Sequence, residues 1–110
     1  MIEKRYDYSI VEEKLIERII SDGNVEINHM VLTKDTGLPI HYSNSNVYMI
    51  IVRGCMAISL DDSPVAEYQK GNILNIPFNK KMNVTNKYDE VLEFFVVKAP
   101  NPKDMKKPNC

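Results

Sequence analysis

The side chains best suited to chemistry in this sequence are two histidines, His29 and His41, and one internal cysteine, Cys55. An imidazole exchanges a proton near neutral pH, so a histidine can act as a general acid or base, and it is also a common metal ligand. A thiol becomes a nucleophile where its surroundings stabilise the thiolate. What these groups can do therefore depends on the elements that position them.

Short apolar runs separated by turn signals recur roughly every eight to twelve residues, a pattern typical of an all-β sandwich or barrel with little or no helix. They predict one β domain over residues 15–98, with an N-terminal segment of residues 1–14 and a C-terminal tail of residues 99–110. The predicted strands are Leu15–Ile20, Val25–Leu32, Val47–Val52, Met56–Leu60, Val65–Gln69, Ile73–Ile76, Met82–Asn86 and Val91–Val97.

Two local signals lie before the second predicted strand. Ser9-Ile10-Val11-Glu12 has the spacing of a capping box, which would allow a short helix in a segment that could also be extended or form a turn. Asp22-Gly23 is a strong hairpin signal, because a type I′ turn requires positive φ at both central residues. We predict a turn or short helix near residues 9–14, followed by a hairpin centred on Asp22-Gly23.

Alternation of apolar and polar residues assigns faces to the strands. In the segment 25–31 the odd positions are apolar apart from His29, so the odd face is predicted to point inward and to carry His29 with it. In the segment 55–60 the alternation turns Cys55 outward, which favours a surface or interface thiol.

Two strands are apolar on both faces, in the segments 47–52 and 92–97. A strand that is apolar on both faces needs a cover on its outer side. In so small a barrel that cover is predicted to be a second copy of the chain, so we expect a homodimer.

The composition is that of an ordinary globular domain, with 110 residues, 44% of them apolar and 26% charged, and a net charge of −1. A phosphate-binding surface needs clustered Lys and Arg, and the one basic cluster, Lys103, Lys106 and Lys107, is interpreted as a solvated tail. There is no signal-peptide h-region or apolar run of membrane-spanning length, and Cys55 and Cys110 are too few for a secreted disulfide framework. We expect a reduced, cytoplasmic protein without a nucleic-acid or membrane partner.

Two segments carry histidine, glycine, proline and asparagine at the spacing of a known pair of motifs. The first segment is Asp35-TGLPI-His41-Tyr42-Ser43-NSN-Val47-YMIIVR-Gly54, and the second is Gly71-NILNI-Pro77-Phe78-Asn79-KK-Met82-NVT-Asn86. They fit the patterns G-x5-H-x-H-x(3,4)-E-x6-G and G-x5-P-x-G-x2-H-x3-N in every spacing. Over most of the region from Val25 to Val97 the chain therefore resembles the cupin superfamily, as a small single-domain cupin with degenerate metal-binding motifs.

This resemblance implies a jelly-roll β-barrel of two antiparallel sheets, commonly dimeric, with a pocket inside one end. The residues retained from the motifs have structural explanations. Gly54 and Gly71 are expected where strand junctions need positive φ, Pro77 at a strand end, and Asn86 at a turn where it bonds local backbone.

A typical cupin metal site takes two histidines and a glutamate from the first motif and one histidine from the second. In this sequence the corresponding residues are His41, Ser43, Val47 and Met82. A serine hydroxyl is a poor ligand, valine is none, and a thioether suits Cu(I) rather than Fe(II), Mn(II) or Ni(II). No cofactor is therefore expected, and a divalent metal would need a rebuilt set of His41, His29 and Met82.

Three functions remain open at this stage. The first is a metal-free small-molecule binding or sensing barrel, and the second is a cupin enzyme, either a metal-dependent isomerase or dioxygenase with rebuilt ligands or a metal-free isomerase using His41. The third is a non-catalytic structural or interaction dimer. One fold hosts many functions, so the fold does not choose among them. The candidate pocket residues are His41, Ser43, Val47, Met82, His29, Met49, Ile58 and Tyr42.

Overall fold

The structure, a computed structural model, describes residues 1–105 and contains nine strands and one turn of 3-10 helix. Of the predicted C-terminal tail, residues 106–110, which include Lys106, Lys107 and Cys110, lie outside the described range. The elements are β1 (Leu15–Ser21), β2 (Glu26–Leu32), β3 (His41–Tyr42), β4 (Val47–Arg53), β5 (Cys55–Leu60), β6 (Ala66–Gln69), β7 (Ile73–Ile76), β8 (Lys81–Thr85), β9 (Leu92–Lys98) and the 3-10 turn Pro102–Asp104.

The strands form two antiparallel sheets that enclose one apolar core. The five-stranded sheet has the order β1-β2-β9-β4-β7, and the four-stranded sheet has the order β3-β8-β5-β6. This confirms the predicted all-β, two-sheet jelly-roll. The core between the sheets contains Met30, Leu32, Leu38, Val47, Met49, Ile51, Met56, Ile58, Ile76, Met82, Val84, Leu92, Phe94 and Val96.

The two motif glycines at strand junctions do adopt positive φ, at +82° for Gly54 and +97° for Gly71. Asn86 is fully buried and its side-chain amide donates to the carbonyls of Leu32 and Glu90, at 3.0 and 2.9 Å. Both findings agree with the structural explanation of the retained motif residues.

The hairpin between β1 and β2 is confirmed, but its predicted turn type is wrong. Neither Asp22 nor Gly23 has positive φ, and four residues rather than two connect the strands. The Asp22 carboxylate instead accepts hydrogen bonds from the N–H groups of Asn24 and Val25, at 2.8 and 3.0 Å. A side chain that closes the loop in this way removes the need for the mirror-image turn.

The inward direction assigned to His29 is also wrong. Met30 and Leu32 belong to the core, so the even-numbered residues of β2 point inward. His29 therefore lies on the opposite, outer face of the five-stranded sheet. It is nevertheless fully buried, because the N-terminal segment covers that face. Both faces of β2 are buried, so alternation of polarity could not tell the inner face from the outer one.

The N-terminal segment of residues 1–14 contains no helix. Ser9 does not cap a helix; its N–H and hydroxyl both donate to the Glu17 carboxylate, each at 2.9 Å. The segment runs over the outer face of β2 and β9, where the Tyr8 ring lies 5.0 Å from the Phe95 ring, centroid to centroid. For β9, part of the cover predicted to be a second copy is therefore supplied by the chain itself.

Candidate functional site

Three of the four side chains at the usual cupin metal positions are buried, and none of the three is set up as a ligand. Val47 and Met82 pack in the core. The Ser43 hydroxyl donates to the carbonyl of Pro77 at 2.6 Å and accepts from the N–H of Lys80 at 2.8 Å. Ser43 therefore joins two loops at this end of the barrel, with its hydroxyl proton committed to a backbone carbonyl.

The fourth position, His41, is exposed at the barrel end. The register sets it opposite Met82, and its Nδ1 lies 2.7 Å from the carbonyl oxygen of Pro39, to which it donates. No carboxylate of the described residues lies within ion-pairing distance of this ring, and the neighbouring Tyr42 is exposed as well. The imidazole thus lacks the oriented partner that general acid–base chemistry requires.

These residues do not fit the metal that the cupin fold commonly holds. One exposed imidazole, a serine with its hydroxyl already bonded, a valine and a thioether supply neither the donor number nor the carboxylate of a facial triad. His29 cannot complete the set, because it lies on the far side of the five-stranded sheet. Within residues 1–105 no group of three His, Cys, Asp or Glu side chains is arranged to hold an ion.

An open cavity of about 350 Å³ lies elsewhere, between the free edges of the two sheets. It is bounded by β5 and the edge strands β6 and β7, with the loop 61–65 at one side. Of the predicted pocket residues only Ile58 reaches it; Met49, Val47 and Met82 fill the core instead. The lining residues are Ile58, Leu60, Ser63, Pro64, Ala66, Tyr68, Ile73, Leu74, Asn75 and Ile76.

The lining of this edge cavity is mostly apolar, with a few hydrogen-bonding groups. None of the ten residues, all in the described range, carries a charge. Its polar side chains are Ser63, Tyr68 and Asn75. The Ser63 hydroxyl donates to the carbonyl of Leu60, and the Asn75 amide donates to the carbonyl of Val47. No local sequence pattern indicates this cavity, because the cavity depends on which strands end the two sheets.

A buried polar cluster occupies the outer face of the five-stranded sheet. The two ring nitrogens of His29 each lie 2.7 Å from a carboxylate oxygen, Nδ1 from Glu17 and Nε2 from Glu93. The His29 ring also packs against the rings of Tyr8 and Phe95, at centroid distances of 4.8 and 4.9 Å, and those two rings contact each other. No sequence signal joins these residues, which come from β1, β2, β9 and the N-terminal segment.

Arg53 and Ser9 extend this cluster. The Arg53 Nε lies 3.3 Å from a Glu93 oxygen as an ion pair without a hydrogen bond, and its Nη1 donates to Glu12 at 2.8 Å. Burial alone would raise the pKa of Glu17, but hydrogen bonds from the Ser9 N–H, the His29 ring and the Ser9 hydroxyl outweigh it. The pKa of this carboxyl therefore lies below its ordinary value.

Cys55 is a free, half-buried thiol at the start of β5. Burial, followed by the negative charge of Glu67, raises its pKa. A raised pKa leaves less thiolate at neutral pH, so the surroundings of Cys55 disfavour nucleophilic chemistry.

Fold and site together define a cupin-type barrel without the usual metal donors. The protein MJ0764 of Methanocaldococcus jannaschii, described as uncharacterised, is 44% identical over 109 residues, covering 98% of this chain and 94% of the relative. Its crystal structure, described as an RmlC-like cupin family protein with a double-stranded β-helix fold, matches with a TM-score of 0.90 at 45% identity, covering 94% of this chain and 95% of that one. The chain therefore belongs to the RmlC-like cupin family.

More distant structures share the fold. A cupin superfamily protein of Desulfitobacterium hafniense matches with a TM-score of 0.71 at 13% identity, covering 86% of this chain and 84% of that one. No family model matches the sequence. Among the described residues there is no helix with the length and apolar character needed to cross a membrane.

Proposed function

We propose that this cupin is a metal-free binding or sensing module that takes a small, uncharged, largely apolar molecule into the edge cavity. The observation that carries the proposal is the open apolar cavity of about 350 Å³ between β6 and β7. Its volume falls at the lower end of ligand pockets, roughly 300–1,000 Å³. The uncharged lining favours a neutral ligand, because an ion there would lose hydration without gaining a partner.

The lining also suggests how such a ligand is oriented. Apolar side chains of Ile58, Leu74 and Ile76 form the inner wall, whereas Tyr68 and Asn75 are exposed and close to solvent. A molecule with an apolar ring and one hydrogen-bonding atom would place the ring inward and the polar atom toward the rim. Such a module would work in the reducing cytoplasm, where the free thiol of Cys55 persists.

Indole, an uncharged ring with one N–H donor, is a suitable probe of the cavity. We expect millimolar indole to shift the methyl NMR signals of Ile58 and Leu74 and to raise the melting temperature. We expect the variant Ala66→Leu to abolish both responses, because Ala66 faces inward opposite Ile58 and a larger side chain fills the space.

Asn83→Leu is the matched control, since it introduces the same side chain on the same sheet but on the exposed outer face. It should respond to indole as the wild type does, with or without added Fe(II), Mn(II), Zn(II) or Ni(II). An unchanged response in Ala66→Leu would place the binding elsewhere, and a response that requires metal would contradict the metal-free proposal.

A second function, as an interaction dimer, is favoured by one further feature. Three alternate residues of β4, Tyr48, Ile50 and Val52, form an apolar strip on the outer face of the five-stranded sheet. Tyr48 is 39% exposed and Val52 is 40% exposed, so the described part of the chain leaves this strip partly uncovered. We propose that the strip of a second copy covers it, because a two-fold dimer pairs the same patch on both subunits.

We expect Val52→Lys to convert the dimer to a monomer, since a dimer would bury the introduced charge in an apolar contact. Sedimentation velocity over a concentration series measures the change. Ile40→Lys is the control, as Ile40 is more exposed, at 59%, and lies outside the five-stranded sheet. A wild type that sediments as a monomer throughout would refute the dimer without affecting the cavity proposal.

A further inference from the structure

We propose that residues 1–14 are a releasable strap, held on the outer face of the five-stranded sheet by a latch centred on a buried histidine. The latch is the cluster of Glu17, His29 and Glu93, and we infer that neutralising its carboxylates releases the strap. The edge cavity lies beside β7, at the opposite edge of the five-stranded sheet from β1, so this proposal does not depend on it.

The strap reaches the latch at two neighbouring residues. The N–H and the hydroxyl of Ser9 donate to the two oxygens of Glu17, each at 2.9 Å. The Tyr8 ring packs on the His29 ring at a centroid distance of 4.8 Å. A hydrogen bond to an ionised carboxylate is roughly twice as strong as a neutral one, so the Ser9 contacts depend on the charge of Glu17.

A third attachment reaches the latch through Arg53. Both oxygens of Glu12 accept hydrogen bonds from Arg53 Nη1, at 3.0 and 2.8 Å, and the same guanidinium pairs with Glu93. The strap is otherwise poorly anchored, since Met1, Ile2 and Ile10 are almost fully exposed. Its attachment therefore depends on the latch and on the arginine beside it.

The two 2.7 Å contacts of the latch constrain where its protons lie. An ionised carboxylate accepts hydrogen bonds but cannot donate them. Both 2.7 Å contacts are therefore hydrogen bonds to ionised Glu17 and Glu93 only when His29 carries a proton on each nitrogen. Together with Arg53, this state balances two negative charges with two positive ones.

The direction of the pH response follows from Glu17. The two Ser9 hydrogen bonds, which the strap supplies, lower the pKa of Glu17. Their contribution to attachment is complete above the ordinary pKa and is lost as pH falls through the lowered value. Acid is therefore expected to release the strap. The groups that face or border the imidazole are Glu17 on β1, Glu93 on β9, Arg53 on β4, and Tyr8 and Glu12 on the strap.

Limited trypsin digestion of the full chain near neutral pH tests the latch, because Lys14 stands where the strap meets β1. We expect Glu17→Gln to raise the initial rate of cleavage after Lys14 by about tenfold, as loss of a charge-assisted contact does. Ser9→Ala, which leaves the barrel intact, should raise the same rate in the same direction. Asp89→Asn removes an equal charge from an exposed ion pair with Lys34 and should leave the rate unchanged.

Cleavage after Lys98, which lies on the central strand β9 and is paired with both β2 and β4, reports whether the barrel itself opens. The latch is supported if cleavage after Lys14 accelerates while Lys98 stays protected. It is overturned if Glu17→Gln and Ser9→Ala are both cleaved at the wild-type rate, or if the two sites become accessible together in both variants. The Ser9 N–H is the backbone donor that joins the strap to Glu17. Its hydrogen exchange, referred to the free-peptide rate, should increase as pH falls below the ordinary glutamate pKa; an unchanged protection factor would refute the acid release.

Discussion

Replacing His29 with leucine is expected to lower the free energy of unfolding by about 3 kcal/mol. The imidazole is fully buried and its two nitrogens separate the carboxylates of Glu17 and Glu93. Without it, two partly buried negative charges would face each other across an apolar side chain. Equilibrium urea denaturation of wild type and variant at neutral pH measures the loss.

Two further variants identify the cause. His41→Leu changes the exposed histidine in the same way and should alter stability by less than about 0.5 kcal/mol. The triple variant Glu17→Gln/His29→Leu/Glu93→Gln removes both charges and should recover most of the stability lost by His29→Leu. A triple variant as unstable as the single one would show that packing of the ring, rather than pairing of the carboxylates, sets the effect.

Gly54→Ala is expected to destabilise the fold by at least about 3 kcal/mol, or to prevent folding. Gly54 has a φ of +82°, and a Cβ there would overlap the carbonyl oxygen of Val91 and lie 2.9 Å from the Cα of Leu92. Both contacts are with backbone of the connection into β9 and its first residue. The central strand of the five-stranded sheet would have to move to make room.

Gly71→Ala separates the cost of the clash from the cost of the backbone conformation. Gly71 also has positive φ, at +97°, but no atom lies within 4 Å of a Cβ built there. Its replacement should cost only the left-handed penalty, about 1–2 kcal/mol. Thermal and urea unfolding of the two variants compare the costs, and equal losses would contradict the predicted clash.

The strands and the class of fold could be predicted from local patterns. All eight predicted strands are present in the structure, because apolar runs and turn residues act over short distances along the chain. The additional strand His41–Tyr42 has only two residues, too few to produce a pattern. The interpretation of Ser43, Val47 and Met82 as poor metal donors likewise depends only on residue type at motif positions.

The candidate sites depended on tertiary structure. The edge cavity exists because β6 and β7 end their sheets side by side, and strand order is a long-range property. The same holds for the cover over β9: Tyr8 packs on Phe95, 87 positions along the sequence, and neither residue's neighbours indicate the other.

The sequence by itself determined that this protein is a small cupin barrel whose motif positions no longer carry a metal-binding set. Only the tertiary structure decided which side of β2 His29 occupies, because Ile27 and Val31 on one face and Met30 and Leu32 on the other are all apolar. Alternation identifies the buried face of a strand when the opposite face meets water. Here the N-terminal segment covers that opposite face, so the position of His29 between two glutamates could be found only in the folded chain.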